Sequence, residues 1–248
     1  MSSHKSSFIR PNWPAPSSVC AYVSTRIGGV SCTPFDELNL GVHVQDNSEA
    51  VIQNRHLFAS FIDMPDSVVW LNQVHGTDVV KLPCDSLPKS ADAAFSDALN
   101  QVCAVLTADC LPVFFCNQSG TQVAVAHAGW RGLCAGVLES TLAQFDNKSS
   151  VMAWLGPAIG AAAFEVGDEV RQAFMTLYPE AEEAFKATQV SDKWLGDLYL
   201  LARQRLHAAG VTQVYGGDHC TFSDEANFYS YRRDGKTGRM ASVIWIDS

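Results

Sequence analysis

The chain is short of the features that mark several large classes of protein. No segment of its 248 residues approaches the roughly 20 consecutive apolar residues that a membrane helix needs, and the opening MSSHKSSFIRPNWPAPSSVC has no apolar stretch of the kind a secretion signal carries. A cytoplasmic location with no membrane partner is therefore expected. Cations are scarce: 17 Lys and Arg stand against 26 Asp and Glu, a formal charge of -9, with no basic run. This argues against a nucleic-acid partner, because such binding draws most of its affinity from clustered Lys and Arg. Small neutral ligands, or anions held by a few local side chains, remain open. Eight cysteines include no CxxC pair, so neither a zinc ribbon nor a thioredoxin motif is present. In a reducing compartment most of these thiols are expected to be small buried hydrophobes, and Cys20, Cys103 and Cys116 lie inside apolar runs where that role fits.

What the chain does have is apolar residues, 47% of the total, enough to bury a sizeable core. They fall in short runs that read as strands: Val19–Ser24, Val102–Thr107, Pro112–Cys116, Gln122–His127, Val151–Leu155 and Ala241–Ile246. Amphipathic stretches lie between them. In NSEAVIQNRHLFASFI, Asn47 or Ser48 can cap a helix whose apolar face holds Val51, Leu57, Phe58 and Phe61. A second helix is expected after GPAIG, with Phe164, Val166, Val170, Phe174 and Leu177 on one side and Glu165, Asp168 and Glu169 near its amino end. A third should span about Leu195 to Ala209 and close on Gly210. No linker or repeat interrupts the pattern. The expectation is a tail over residues 1–12, followed by one mixed domain over 13–248.

Three blocks set polar chemistry against strand-like runs: WLNQVHGTDVV with His75, LTADCLPVFF with Asp109 and Cys110, and VAVAHAGWRGL with His127 and Arg131. Two imidazoles and a thiolate suit zinc, and three protein donors leave a coordination position open, as catalytic sites do. The intervals of 35 residues from His75 to Cys110 and 17 from Cys110 to His127 match no finger pattern. By spacing alone His75 equally fits a turn, Cys110 an inert thiol and His127 a hydrogen-bonded core residue.

These blocks, with STRIGGVS (24–31), LNLGVHVQDN (38–47), AWLGPAIG (153–160) and YSYRRDGKTGRMAS (229–242), resemble the multicopper polyphenol oxidase or laccase-domain family, also described as purine nucleoside phosphorylases of the YfiH and YlmD type. The resemblance runs from about Trp13 to the end, with the blocks in the family's order. It implies an α+β fold of layered mixed sheets flanked by helices, and it places the family's metal ligands on His75, Cys110 and His127. Seven scattered histidines are too few for several coppers, so one metal per chain is expected, zinc with copper as the alternative.

The implied activity is zinc-dependent phosphorolysis of adenosine, inosine, guanosine and methylthioadenosine, together with deamination of adenosine. Zinc would serve deamination by making a water acidic near neutral pH, whereas phosphorolysis calls for an anion clamp and for help to the departing purine. Asp109 is a candidate general acid or base, or alternatively a turn residue or the group that orients His75 or His127. Arg26 and Arg131 are candidate phosphate clamps. Asn39 and His43 would share one face if their segment were extended, and could then reach the pocket. Arg232 and Arg233 read as a solvated pair, and His219 with Cys220 as no metal site, since adjacent strand residues face opposite ways.

Two rival functions use the same residues. Cys110 could be a nucleophile activated by His127, with Asp109 or Asn39 orienting the ring, in an amide hydrolase that edits peptidoglycan precursors. Alternatively the thiolate site could hold copper, with polyphenol oxidation as incidental chemistry. A monomer acting on small molecules is expected in each case.

Overall fold

In the computed structural model, which describes residues 6–84, 86 and 90–248, the apolar runs assemble into two large sheets. The first is ordered β1 (Phe8–Ile9), β2 (Val19–Ser24), β14 (Met240–Ile246), β6 (Cys103–Thr107), β3 (Val69–Trp70). The second is ordered β13 (Gln213–Gly216), β9 (Val151–Leu155), β7 (Leu111–Asn117), β8 (Val123–Ala128), β5 (Ala93–Ser96), β4 (Val79–Leu82). Most neighbours are antiparallel, but β3 beside β6, β13 beside β9 and β4 beside β5 are parallel. Both sheets are therefore mixed. A small antiparallel ribbon, β10 (Glu165–Gly167), β12 (Lys193–Gly196), β11 (Phe185–Ala187), is the third sheet among the described residues.

The period-two alternation of the central strands explains the layering. Along β6, Cys103 and Val105 enter a core between the two sheets, shared with Phe114, Val125 and Trp154, while Ala104 and Leu106 enter a second core. That second core lies under α1 (Ser48–Phe61), which contributes Phe58. Along β7, Phe114 and Cys116 face the first sheet, whereas Leu111, Val113 and Phe115 face the remaining helices. These are α2 (Trp130–Ala135), α3 (Val137–Leu142), α4 (Asp168–Leu177) and α5 (Leu198–Ala208); α6 (Tyr231–Asp234) stands apart from that layer. Strands covered on both faces have no polar side to show, which is why they read as continuous apolar runs.

The six expected strands are all present, with ends shifted by a residue or so. The helices need correction. Asn47 does cap α1, accepting from the Glu49 and Ala50 amides, but the helix buries Val51, Asn54 and Phe58 and leaves Phe61 exposed. Glu165 and Val166 belong to β10 rather than to the second helix, which starts at Asp168, and Leu177 is exposed. Leu195 lies in β12; the third helix begins after Asp197, whose carboxylate accepts from the Leu200 amide, and ends before Gly210 at φ +92°. Cys103 and Cys116 are buried as expected, whereas Cys20 is half-buried. Phe8 and Ile9, in the stretch read as a tail, pair with Ser24 and Val23. Among the described residues no helix is long and apolar enough to cross a membrane.

Candidate metal centre

Strand register creates the site. Leu111 pairs with Ala128 and Ala93 with Ala126, so β7 begins, β8 ends and β5 begins at one end of the second sheet. His127 is the penultimate residue of β8, and Cys110 immediately precedes β7. His75 comes from the connection between β3 and β4. The three donor atoms lie within 4.8 Å of one another, with Cys110 Sγ 3.7 Å from His75 Nε2. Tetrahedral zinc bonds of about 2.0–2.3 Å place N and S donors roughly 3.3–3.6 Å apart, so this cluster is close to ligating geometry without a fourth protein donor. The graded burial fits a site open on one side: His127 is buried, Cys110 half-buried and His75 exposed.

Asp92, which sequence reasoning passed over, organises the cluster. Its carboxylate is fully buried at the start of β5. Oδ1 accepts from the His75 amide at 2.9 Å and lies 2.8 Å from His127 Nδ1; Oδ2 accepts from the Val74 and Gly76 amides at 3.1 and 2.7 Å. Three successive N–H groups thus wrap one carboxylate and hold His75 at φ +61°, a left-handed conformation uncommon outside glycine. With Nδ1 of His127 held, Nε2 is the nitrogen left for a metal. Burial alone would raise the pKa of Asp92, but the bonds from His127, Gly76 and Val74 hold it below the usual carboxylate range. The Cys110 thiol is likewise lowered despite burial, by the charge and hydrogen bonds of His127 and His75, while His127 is raised by the thiolate and Asp92.

Gly129 seals the back of the site. A Cβ there would lie 2.6 Å from His75 Cδ2 and 3.0 Å from Cys110 Sγ, so only glycine lets the chain pass. No other group of three such donors is present among the described residues.

The other sequence candidates divide. Asp109, at φ +87°, accepts from the Thr221 hydroxyl at 2.6 Å and the Arg232 amide at 2.7 Å, and so ties together the turn that presents Cys110. The orienting of His127 belongs to Asp92, not to Asp109 or Asn39. Arg26 is already occupied: Nε bonds the Asp36 carbonyl, one terminal nitrogen pairs with the Asp36 carboxylate at 3.0 Å, and the other reaches the Glu225 carbonyl. A fork filled this way has no edge left for phosphate. Arg131, by contrast, is exposed over the Trp130 ring and has no ion-pair partner among the described residues. The segment holding Asn39 and His43 is not a strand, because residues 42–44 form a tight helical turn. Asn39 is fully buried and bonded to Gly41, Asp46 and the Arg239 amide. The His43 side chain is exposed, and desolvation with the charges of Arg239 and Arg55 lowers its pKa. Arg232 caps carbonyls of residues 163 and 165, and Arg233 pairs with Asp234. His219 packs edge-on against Phe228, away from any three-donor group.

Residues 20–247 match the family described as "Multi-copper polyphenol oxidoreductase laccase". The chain is 56% identical to "Purine nucleoside phosphorylase YfiH" of Escherichia coli (strain K12), covering 97% of this chain and 99% of that one. It is 51% identical to "Purine nucleoside phosphorylase PA4543" of Pseudomonas aeruginosa, over 96% and 98% of the two chains. The crystal structure of Neisseria meningitidis protein NMB0706 superposes with a TM-score of 0.92 at 50% identity, covering 98% of this chain and all of that one. A match of this extent, in sequence and in fold, makes the chain a member of the multi-copper polyphenol oxidoreductase laccase family.

Proposed function

We propose that this chain is a zinc-dependent purine nucleoside phosphorylase that accepts adenosine, inosine, guanosine and methylthioadenosine, and that it also deaminates adenosine. The observation that carries the reading is the open cluster of His75, Cys110 and His127, backed by the buried Asp92 carboxylate. The names of the relatives support the substrate class. A zinc ion held by these three side chains would supply Lewis acidity at the mouth of the site. The protein's own groups do the rest. Asp92 fixes the tautomer and direction of His127, Asp109 holds the Cys110 turn, and Arg131 offers an exposed cation two residues after Gly129. Eight free thiols suit a cytoplasmic, reducing setting, and we infer a monomer with small-molecule substrates.

A second reading has its own observation. Cys110, His127 and Asp92 stand in the order nucleophile, base and orienting acid, the arrangement of a cysteine hydrolase acting on an amide such as that of a peptidoglycan precursor. Reconstitution separates the readings. Metal-free protein loaded with zinc or with copper is given inosine with and without phosphate. Hypoxanthine formed only by the zinc form, only with phosphate, and not by His75→Ala is the expected result. Amide cleavage by the metal-free protein with no hypoxanthine from any form would replace the proposal with the hydrolase. Phenol oxidation by the copper form alone would leave a copper protein.

A further inference from the structure

Arg239 is half-buried and yet lacks an acidic partner among the described residues. Arg26, Arg171, Arg205 and Arg233 each pair with a carboxylate, whereas Arg239 has none within ion-pair distance among the described residues. Burial pushes its pKa down, offset by the nearby Cys110 and Asp109.

Its place is set by the sheet. Met240 pairs with Thr107, so Arg239 sits just before β14 at the end where β6 runs out toward Cys110. Its amide donates to Asn39 Oδ1 at 2.9 Å, and the Asn39 side chain is itself tied to Asp46, which anchors the root of the arm. Gly41 passes so close that a Cβ there would lie 2.8 Å from Arg239 Cγ. One terminal nitrogen donates to the carbonyls of Thr237 and Gly238 at 3.0 and 2.9 Å. That leaves Nε and the other terminal nitrogen, the edge that grips an oxyanion with two parallel bonds. Beside it stands Tyr231, 60% exposed, with its ring centre 5.9 Å from the guanidinium; the amide of the next residue, Arg232, bonds Asp109 Oδ2. An exposed aromatic next to a fixed cation at the mouth of a metal centre fits a flat base and an anion side by side.

We infer that Arg239 holds the attacking phosphate and that Tyr231 forms the wall against which the nucleoside lies. The inference rests on the nucleoside reading for the identity of its ligands. In the step it serves, a phosphate oxygen bonds to ribose C1′ as the bond from C1′ to the purine nitrogen breaks. The electron pair leaves with the purine, and the proton of hydrogenphosphate ends on the base. A partly buried guanidinium without a counter-ion is completed by such an anion.

The test uses zinc-loaded protein of measured metal content, titrated with inorganic phosphate by calorimetry at matched ionic strength and then assayed for inosine phosphorolysis. Arg239→Ala should weaken phosphate binding and raise the phosphate KM at least about tenfold, with Arg239→Lys between it and the wild type and zinc content unchanged. Tyr231→Ala should raise the nucleoside KM and leave the phosphate KM alone. Arg26→Ala is the control and should bind phosphate normally. Phosphate affinity in Arg239→Ala within twofold of wild type, or loss of zinc with phosphate binding intact, would overturn the assignment; if the alanine variant fails to fold, the lysine variant decides. Arg239-dependent phosphate binding without any nucleoside turnover would keep the clamp and reject the nucleoside reading.

Discussion

Replacing Asp92 with asparagine keeps its shape and removes its charge. In the native site one oxygen accepts from the Val74 and Gly76 amides and the other from the His75 amide and His127 Nδ1. Whichever way the new amide is turned, its NH2 faces two of these donors instead of accepting from them. Hydrogen bonds to a charged acceptor contribute about 1.5–3 kcal/mol each, so two lost bonds cost roughly 3–6 kcal/mol. For a chain of this length each kcal/mol moves the melting temperature by about 2–4 °C, and the variant should melt at least about 6 °C lower. Zinc affinity should fall about 10- to 100-fold, because His127 is no longer fixed. Thermal unfolding of the metal-free protein measures the first effect, and competition against a chromogenic chelator the second. The Asp92 charge also makes the stability depend on pH. Because the folded Asp92 is held below the usual carboxylate range, its contribution is complete above about pH 4 and is lost as the pH falls through the folded value. The wild-type advantage over Asp92→Asn should shrink in that acidic window. A variant that melts within about 2 °C of wild type and binds zinc equally well would refute this account of the site.

Gly129→Ala should leave the sheets intact but drive a methyl group against His75 and Cys110, lowering zinc affinity about tenfold or more in the same chelator competition. In metal-free protein at neutral pH, iodoacetamide should label Cys110 well before Cys103 and Cys116, since His127 and His75 lower the first thiol while burial raises the other two; zinc should protect it. Equal labelling of the three, read by peptide mass, would count against the geometry. Arg26→Ala should cost about 1–3 kcal/mol of stability by breaking the pair with Asp36 and the stacking on Tyr229, with the phosphate KM unchanged.

The strands were legible because the facing sheet on one side and helices on the other bury both faces of β6, β7, β8 and β14, which turns each into an apolar run. Short edge strands such as Val69–Trp70 and Gln213–Gly216 carry too few residues to show a period, and α2 and α3 are each six residues long with glycine between them. Glu165–Val166 and Leu195 were drawn into helices because an apolar strand preceding an amphipathic helix extends the helical pattern. In the site, the three donors were visible as polar residues at the borders of apolar runs. Asp92 was not: a lone acid among alanines gives no periodic signal, and its role depends on amides 17 residues away in sequence. Arg26 and Arg239 look alike in the sequence. Only the fold shows that Asp36 occupies the first while the second has no carboxylate within ion-pair distance among the described residues.

The central claim is that His75, Cys110 and His127 hold a metal that serves purine nucleoside cleavage. The most direct measurement incubates zinc-loaded wild type and Cys110→Ala with adenosine, with and without phosphate, and separates adenine, inosine and hypoxanthine by chromatography. The account predicts adenine from the wild type only when phosphate is present, inosine in both conditions, and neither product from the variant. Wild-type protein that retains its zinc and yields no product above the variant would contradict it.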